Sequence, residues 1–96
     1  MLYFKRHWNE KCGSMLTNSW GACTYYFETD NNMNVKTQLQ VYHSGKMLKY
    51  DEQFLEDKFG GLSKVKLDRK EFLKYSISKN DFSKVNDLFL IQKFST

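Results

Sequence analysis

Cysteine is scarce in this chain: Cys12 and Cys23 are the only two among 96 residues. Small domains that are organised by disulfides carry several close-set cysteines, so a disulfide framework is excluded, and no C-x-x-C spacing occurs. Reduced thiols in a cytoplasmic protein are therefore expected. Long apolar runs are absent as well. Leu2-Tyr3-Phe4, followed at once by Lys5 and Arg6, is too short for the apolar region of a signal peptide, and no stretch approaches the roughly 20 residues of a membrane-spanning helix. The sequence predicts a protein that stays where it is made, with no membrane partner. Low-complexity bias, glycine periodicity and sustained heptads are missing too, which excludes disorder, collagen and coiled coil.

What is present is apolar enough to close a core, at 41% hydrophobic and 17% aromatic residues. A chain of this length has room for one domain, residues 1–96, burying about 60 to 65% of its unfolded surface. Fifteen Lys and Arg against eleven Asp and Glu give 15 − 11 = +4, with a sequence pI near 9.1. The excess is mild. Lys64, Lys66, Arg69, Lys70 and Lys74 alternate with Asp68 and Glu71, the pattern of a solvated, salt-bridged face rather than of a basic stripe for nucleic acid. Asp51, Glu52, Glu56 and Asp57 form the most acidic stretch.

Strand signals come first along the chain. Residues 2–8 are rich in aromatics and predict a short strand with Leu2 and Phe4 on one face and Tyr3 on the other, whereas 9–18 collect turn formers and read as loop. Trp20 to Thr29 reads as a strand, Asp30-Asn31-Asn32 as a reversal that tolerates left-handed angles, and Val35 to His43 as a strand. In that last strand Val35, Leu39 and Val41 point to the core, while Lys36, Gln38, Gln40 and Tyr42 point to water. Ser44-Gly45 suits a tight hairpin and Met47 to Tyr50 the returning strand.

Helix signals follow. Asp51 is placed to cap a short helix through Phe59, with Leu55 and Phe59 on one face and Gly60-Gly61 as its carboxyl-terminal stop. Asp68, three before Glu71, and Ser78, three before Asp81, mark two further helix starts. Phe82, Val85 and Phe89 are spaced to face a sheet, and Leu88 to Ile91 suits either helix or strand. The expected fold is α+β: an antiparallel meander packed with short helices as a single pair of layers.

Residues able to do chemistry are few. His7, Cys12, Cys23 and His43 lack the paired close spacing of a structural zinc site, so neither a metal nor another cofactor is expected. No G-x-S-x-G, phosphate-cradling glycine loop or H-E-x-x-H occurs. The acidic stretch offers paired carboxylates for acid/base work, but such residues more often cap a helix and face solvent. The aromatic surplus is more informative. Trp8, Trp20, Tyr25, Tyr26, Tyr42 and Tyr50 join eight Phe; Tyr and Trp are enriched at interface hot spots, and cross-strand packing is their ordinary use. They also suit base stacking in a small nucleic-acid-binding module, although no RNP-like run accompanies them.

One larger pattern joins Trp20-Gly21, Tyr26-Phe27-Glu28, Gln40-x-Tyr42, Gly45-Lys46-x-Leu48-x-Tyr50-Asp51, Glu56-Asp57-x-Phe59-Gly60-Gly61-Leu62 and Phe72-x-x-Tyr75-x-Ile77-Ser78. This set resembles small bacterial immunity proteins, the partners of polymorphic or contact-dependent growth-inhibition toxins. The resemblance implies a cytoplasmic, non-enzymatic protein that occludes a cognate toxin domain, often a nuclease, in a one-to-one complex. On that reading the contact surface is the acidic segment with its neighbouring aromatics: Tyr42, Tyr50, Asp51, Glu52, Glu56 and Asp57. Inhibitors of basic nucleases are commonly acidic, and the net charge of +4 departs from that pattern, favouring a toxin that is acidic overall.

Overall fold

The computed structural model describes residues 1–11 and 19–94, with the side chains of 1–7 and 19–92. Its centre is a sheet of four strands, β1 (Leu2–Lys11), β2 (Ala22–Thr29), β3 (Val35–Tyr42) and β4 (Met47–Asp51), paired antiparallel in chain order. Aromatic and β-branched residues crowd β1 and β2, where they pack well on a pleated surface. The expected meander is formed, and β1 extends it by one strand. β1 also runs into residues 9–11, which the sequence suggested as loop; 12–18 of that loop lie outside the described residues. Trp20 stands in a short helical turn just before β2 rather than within the strand.

Local chemistry makes the turns. Asp30 Oδ1 accepts from the N–H groups of Asn32 and Asn34, and its Oδ2 accepts from the Asn34 side chain, closing the reversal after β2. The left-handed residue there is Met33, at φ 69°, not one of the asparagines expected to take that role. Gly45, at φ 95°, closes the β3–β4 hairpin, with its N–H donating to Tyr42 O and the Tyr42 N–H donating to Lys46 O.

Helices follow the sheet. Asp68 caps α1 (Arg69–Phe72) through the N–H groups of Lys70 and Glu71, and a 3₁₀ turn, Leu73–Tyr75, continues it. Ser78 Oγ accepts from Asp81 N–H at the start of α2 (Lys79–Phe94), whose helical path includes Leu88 to Ile91. α2 lies on one side of the sheet, where Phe82 is buried and sits 5.2 Å from the Tyr3 ring. On the other side, Phe72 packs edge-on against Phe4 and Phe27 in a core that includes Met33 and Val35. Both sides of the sheet therefore carry packing, although Lys5 and His7 on the α2 side stay exposed.

That double cover corrects the expected division of β3 into core and wet faces. Gln38 is 3% exposed and Tyr42 2% exposed, and Gln40 is buried as deeply as they are. Alternation reports which residues share a side of a strand, but it cannot say whether that side is covered. Gln38 meets the cost of burial by bonding at both ends of its amide: Nε2 donates to Gly61 O at 3.1 Å, and Oε1 accepts from Ser63 N–H at 3.0 Å.

Residues 51–59 form no helix. Asp51 does accept from the N–H groups of Gln53 and Phe54, as a cap would. Its own N–H and C=O, however, bond to Phe54, so the chain doubles back into a small hairpin of β5 (Glu56–Asp57) and β6 (Gly60–Gly61). Gly60 and Gly61 are strand residues with no left-handed angle. Gly61 is needed because a Cβ there would lie 2.9 Å from Leu55 O, where the two backbones cross closely.

Because Gln38 holds two backbone groups that no other described residue satisfies, Gln38→Ala is expected to cost about 2 to 3 kcal/mol of stability in urea denaturation, as buried polar partners left unpaired do. A loss below about 0.5 kcal/mol would contradict that role.

Candidate functional site

A cleft of about 640 Å³ opens between β4, the β5–β6 hairpin and the last turns of α2. One wall is aromatic. Trp20 packs 4.9 Å from Phe59 and edge-on, at 5.1 Å, to Tyr42, while Phe54 stacks on Tyr50 with centroids 6.0 Å apart. Phe89 and Leu90 of α2 form the opposite wall, and residues 46–49 run between the two.

The elements around the cleft are tied to one another by hydrogen bonds. Trp20 is held by its backbone, whose carbonyl accepts from Ser44 N–H at 3.1 Å. Gln92 Nε2 donates to Gly45 O at 3.0 Å, fastening the end of α2 to the β3–β4 hairpin. Asp57 Oδ1 accepts from the Tyr50 hydroxyl and Phe59 N–H, each at 2.8 Å, and from Gly60 N–H at 3.2 Å, which sets the hairpin that carries Phe59. The Lys46 ammonium lies 5.3 Å from the centre of the Trp20 ring.

The residues expected to make the contact surface divide into three groups. Tyr42 and Tyr50 are buried, at 2% and 0% exposure, so they are floor and support rather than surface. The aromatic excess signals buried packing at those two positions. Asp51 and Asp57 line the cleft, but they also organise the turns that present Phe54 and Phe59. Glu52 and Glu56 are exposed away from the lining, and Glu52 stands 3.7 Å from Lys36. Trp20 alone among the lining aromatics belongs to the sequence-derived set of interface candidates. Phe54, Phe59, Phe89 and Leu90 were missed because a helical reading of 51–59 points them elsewhere, and no local signal shows that α2 ends beside the hairpin.

His7 Nδ1 is 2.8 Å from Thr24 Oγ1, and Cys23 is buried and disulfide-bonded. The disulfide corrects the expectation of reduced thiols. Cys12 lies outside the described residues, as does the Trp8 side chain. Among the described residues no group of three or more His, Cys, Asp or Glu stands close enough to hold a metal ion, and no helix is long and apolar enough to cross a membrane.

Burial, and next the hydrogen bond to Asp57, push the Tyr50 phenol well above the ordinary tyrosine value of 10.0. The folded chain thus keeps a proton that the unfolded chain loses, so this contribution to stability is complete below about pH 10 and drains away as pH rises further. Alkaline unfolding is expected to show that decline, and Tyr50→Phe to flatten it, at a cost near neutrality of about 1 kcal/mol for the lost hydrogen bond. Burial raises Tyr25 in the same direction, so part of the slope remains in the variant. An unchanged slope in Tyr50→Phe would contradict the assignment. No family model matches this chain, and no curated protein or solved structure matches it.

Proposed function

We propose that this protein acts by binding alone: it covers a partner polypeptide with the cleft and its apolar rim, as an immunity protein covers its cognate toxin domain in a one-to-one complex. The observation that carries the reading is the cleft, with Trp20, Phe54 and Phe59 on one side, Phe89 and Leu90 on the other, and no buried ionisable group in its lining. Next in sequence to the lining residues Phe54 and Leu90, Leu55 is 58% exposed and Ile91 64% exposed. Contiguous apolar surface with a polar rim is the usual mark of a docking site rather than of a reaction centre. Lys46 and Lys49 at the cleft, together with the net charge of +4, favour an acidic partner.

Base stacking on the sheet, the rival use of the aromatics, meets aromatics already engaged in packing: Phe72 lies on Phe4 and Phe27 on one side, and Phe82 on Tyr3 on the other. The disulfide at Cys23 supports an encounter in an oxidising compartment rather than the cytoplasm, because disulfides persist in oxidising surroundings and are rare in a reducing cytoplasm.

The test is co-expression with the toxin domain encoded beside this protein, both directed to one compartment. Growth should be restored and a one-to-one complex should co-purify. Killing that continues despite abundant folded protein would end the proposal.

A further inference from the structure

The two edges of the sheet are treated differently. Along β1 the start of the outer edge is closed, since Phe4 bridges Ser76 and the Ile77 N–H donates to Tyr3 O at 2.9 Å. Along β4 the edge before Asp51 is open among the described residues. The Tyr42 N–H to Lys46 O bond fixes the phase of the β3–β4 ladder, so Leu48 and Tyr50 turn their backbone groups inward to Gln40 and Gln38. Met47, Lys49 and Asp51 turn theirs outward. Asp51 confirms the phase, because its N–H and C=O both bond outward to Phe54. Met47 and Lys49 have no such partner among the described residues, and both line the cleft.

An outward edge is usually blunted by a charge, a bulge or a covering loop. Here it forms the floor of a trough, between Trp20 and Phe59 on one side and Phe89 and Leu90 on the other. We propose that the β4 edge accepts an extended, acidic segment of a partner polypeptide as a fifth strand. The segment pairs with the backbones of Met47 and Lys49, and its alternate side chains reach the two apolar walls. A second copy of this chain fits poorly, because a two-fold contact requires the same patch to be its own complement, and a recessed edge cannot reach another recessed edge.

Charge selects the composition of the segment. The carboxylates of Asp51 and Asp57 each accept from neighbouring backbone N–H groups, whereas Lys46 and Lys49 form no ion pair among the described residues. Carboxylates on the incoming strand near those two ammonium groups complete the match. This inference rests on the binding reading and specifies its mode.

The test uses amide hydrogen exchange by NMR on the whole chain, with the end-blocked peptide Glu-Glu-Val-Thr-Val-Thr-Val as probe. In the free protein the Met47 and Lys49 amides should exchange at least about tenfold faster than those of Leu48 and Tyr50. Equal protection means that the edge is already covered, and overturns the proposal. Added peptide should slow Met47 and Lys49, and a version with Lys in place of Glu should bind at least about tenfold more weakly. Peptide that leaves both amides unchanged at millimolar concentration overturns it as well. Lys49→Pro removes only an outward N–H, which a sheet edge tolerates, so it should abolish pairing, while Lys49→Ala, which loses the same charge, retains it in part. A toxin complex that leaves both amides unprotected refutes edge pairing and spares the binding proposal; a paired peptide without any toxin neutralisation does the reverse.

Discussion

A glutamine held between Phe27 and Tyr50 across three strands, and covered from above, must bond at both ends of its amide or stay costly to bury. Gln38 does so with Gly61 and Ser63, behaving as a short length of backbone that crosses from the sheet to the segment lying over it. Much of the rest follows from that attachment. It lays Leu62 onto the core, and farther on the Leu67 N–H reaches Met33 O before Phe72 drops between Phe4 and Phe27. On the other side of the attachment, Gly61 lets the β5–β6 hairpin close against Leu55, and Asp57 ties that hairpin to Tyr50.

The cleft is a product of this cover and not a separate construction. The segment that hides one face of the sheet also raises Phe54 and Phe59 beside β4, while α2, hiding the other face, ends with Phe89 and Leu90 across from them. With both faces of the sheet packed at least in part, its edges gain weight as surface. One edge is closed at its start by Ser76 and Ile77, whereas the β4 edge at Met47 and Lys49 lies between the two walls with no backbone partner among the described residues.

Features fixed by near neighbours could be read in the sequence. The strands, the Ser44-Gly45 hairpin and the caps at Asp68 and Ser78 each depend on residues a few positions apart, and each is present. The errors arose where distant packing decides. Asp51 makes the bonds of a helix cap, yet Phe54 takes its backbone, so the same local signal opens a hairpin. Gly60-Gly61 looked like a helix stop, when the need was for a close crossing beside Leu55. Gln38 and Tyr42 looked wet because polarity suggested solvent, whereas a covering segment some 23 residues away supplies the partners of Gln38. Of the site, Trp20 and the two aspartates were legible; the apolar walls were not, since no local pattern brings residue 59 beside residue 89.

One side-chain amide, that of Gln38, fastens the covering segment, and with it the aromatic wall, to the sheet. Residue-by-residue amide exchange of Gln38→Ala tests it most directly. The Ser63 and Leu67 amides should exchange at least about tenfold faster than in the parent while those of Thr24 to Phe27 keep their protection, the sign of local opening. Uniform acceleration across the sheet and the segment alike, or no change at Ser63, would contradict it.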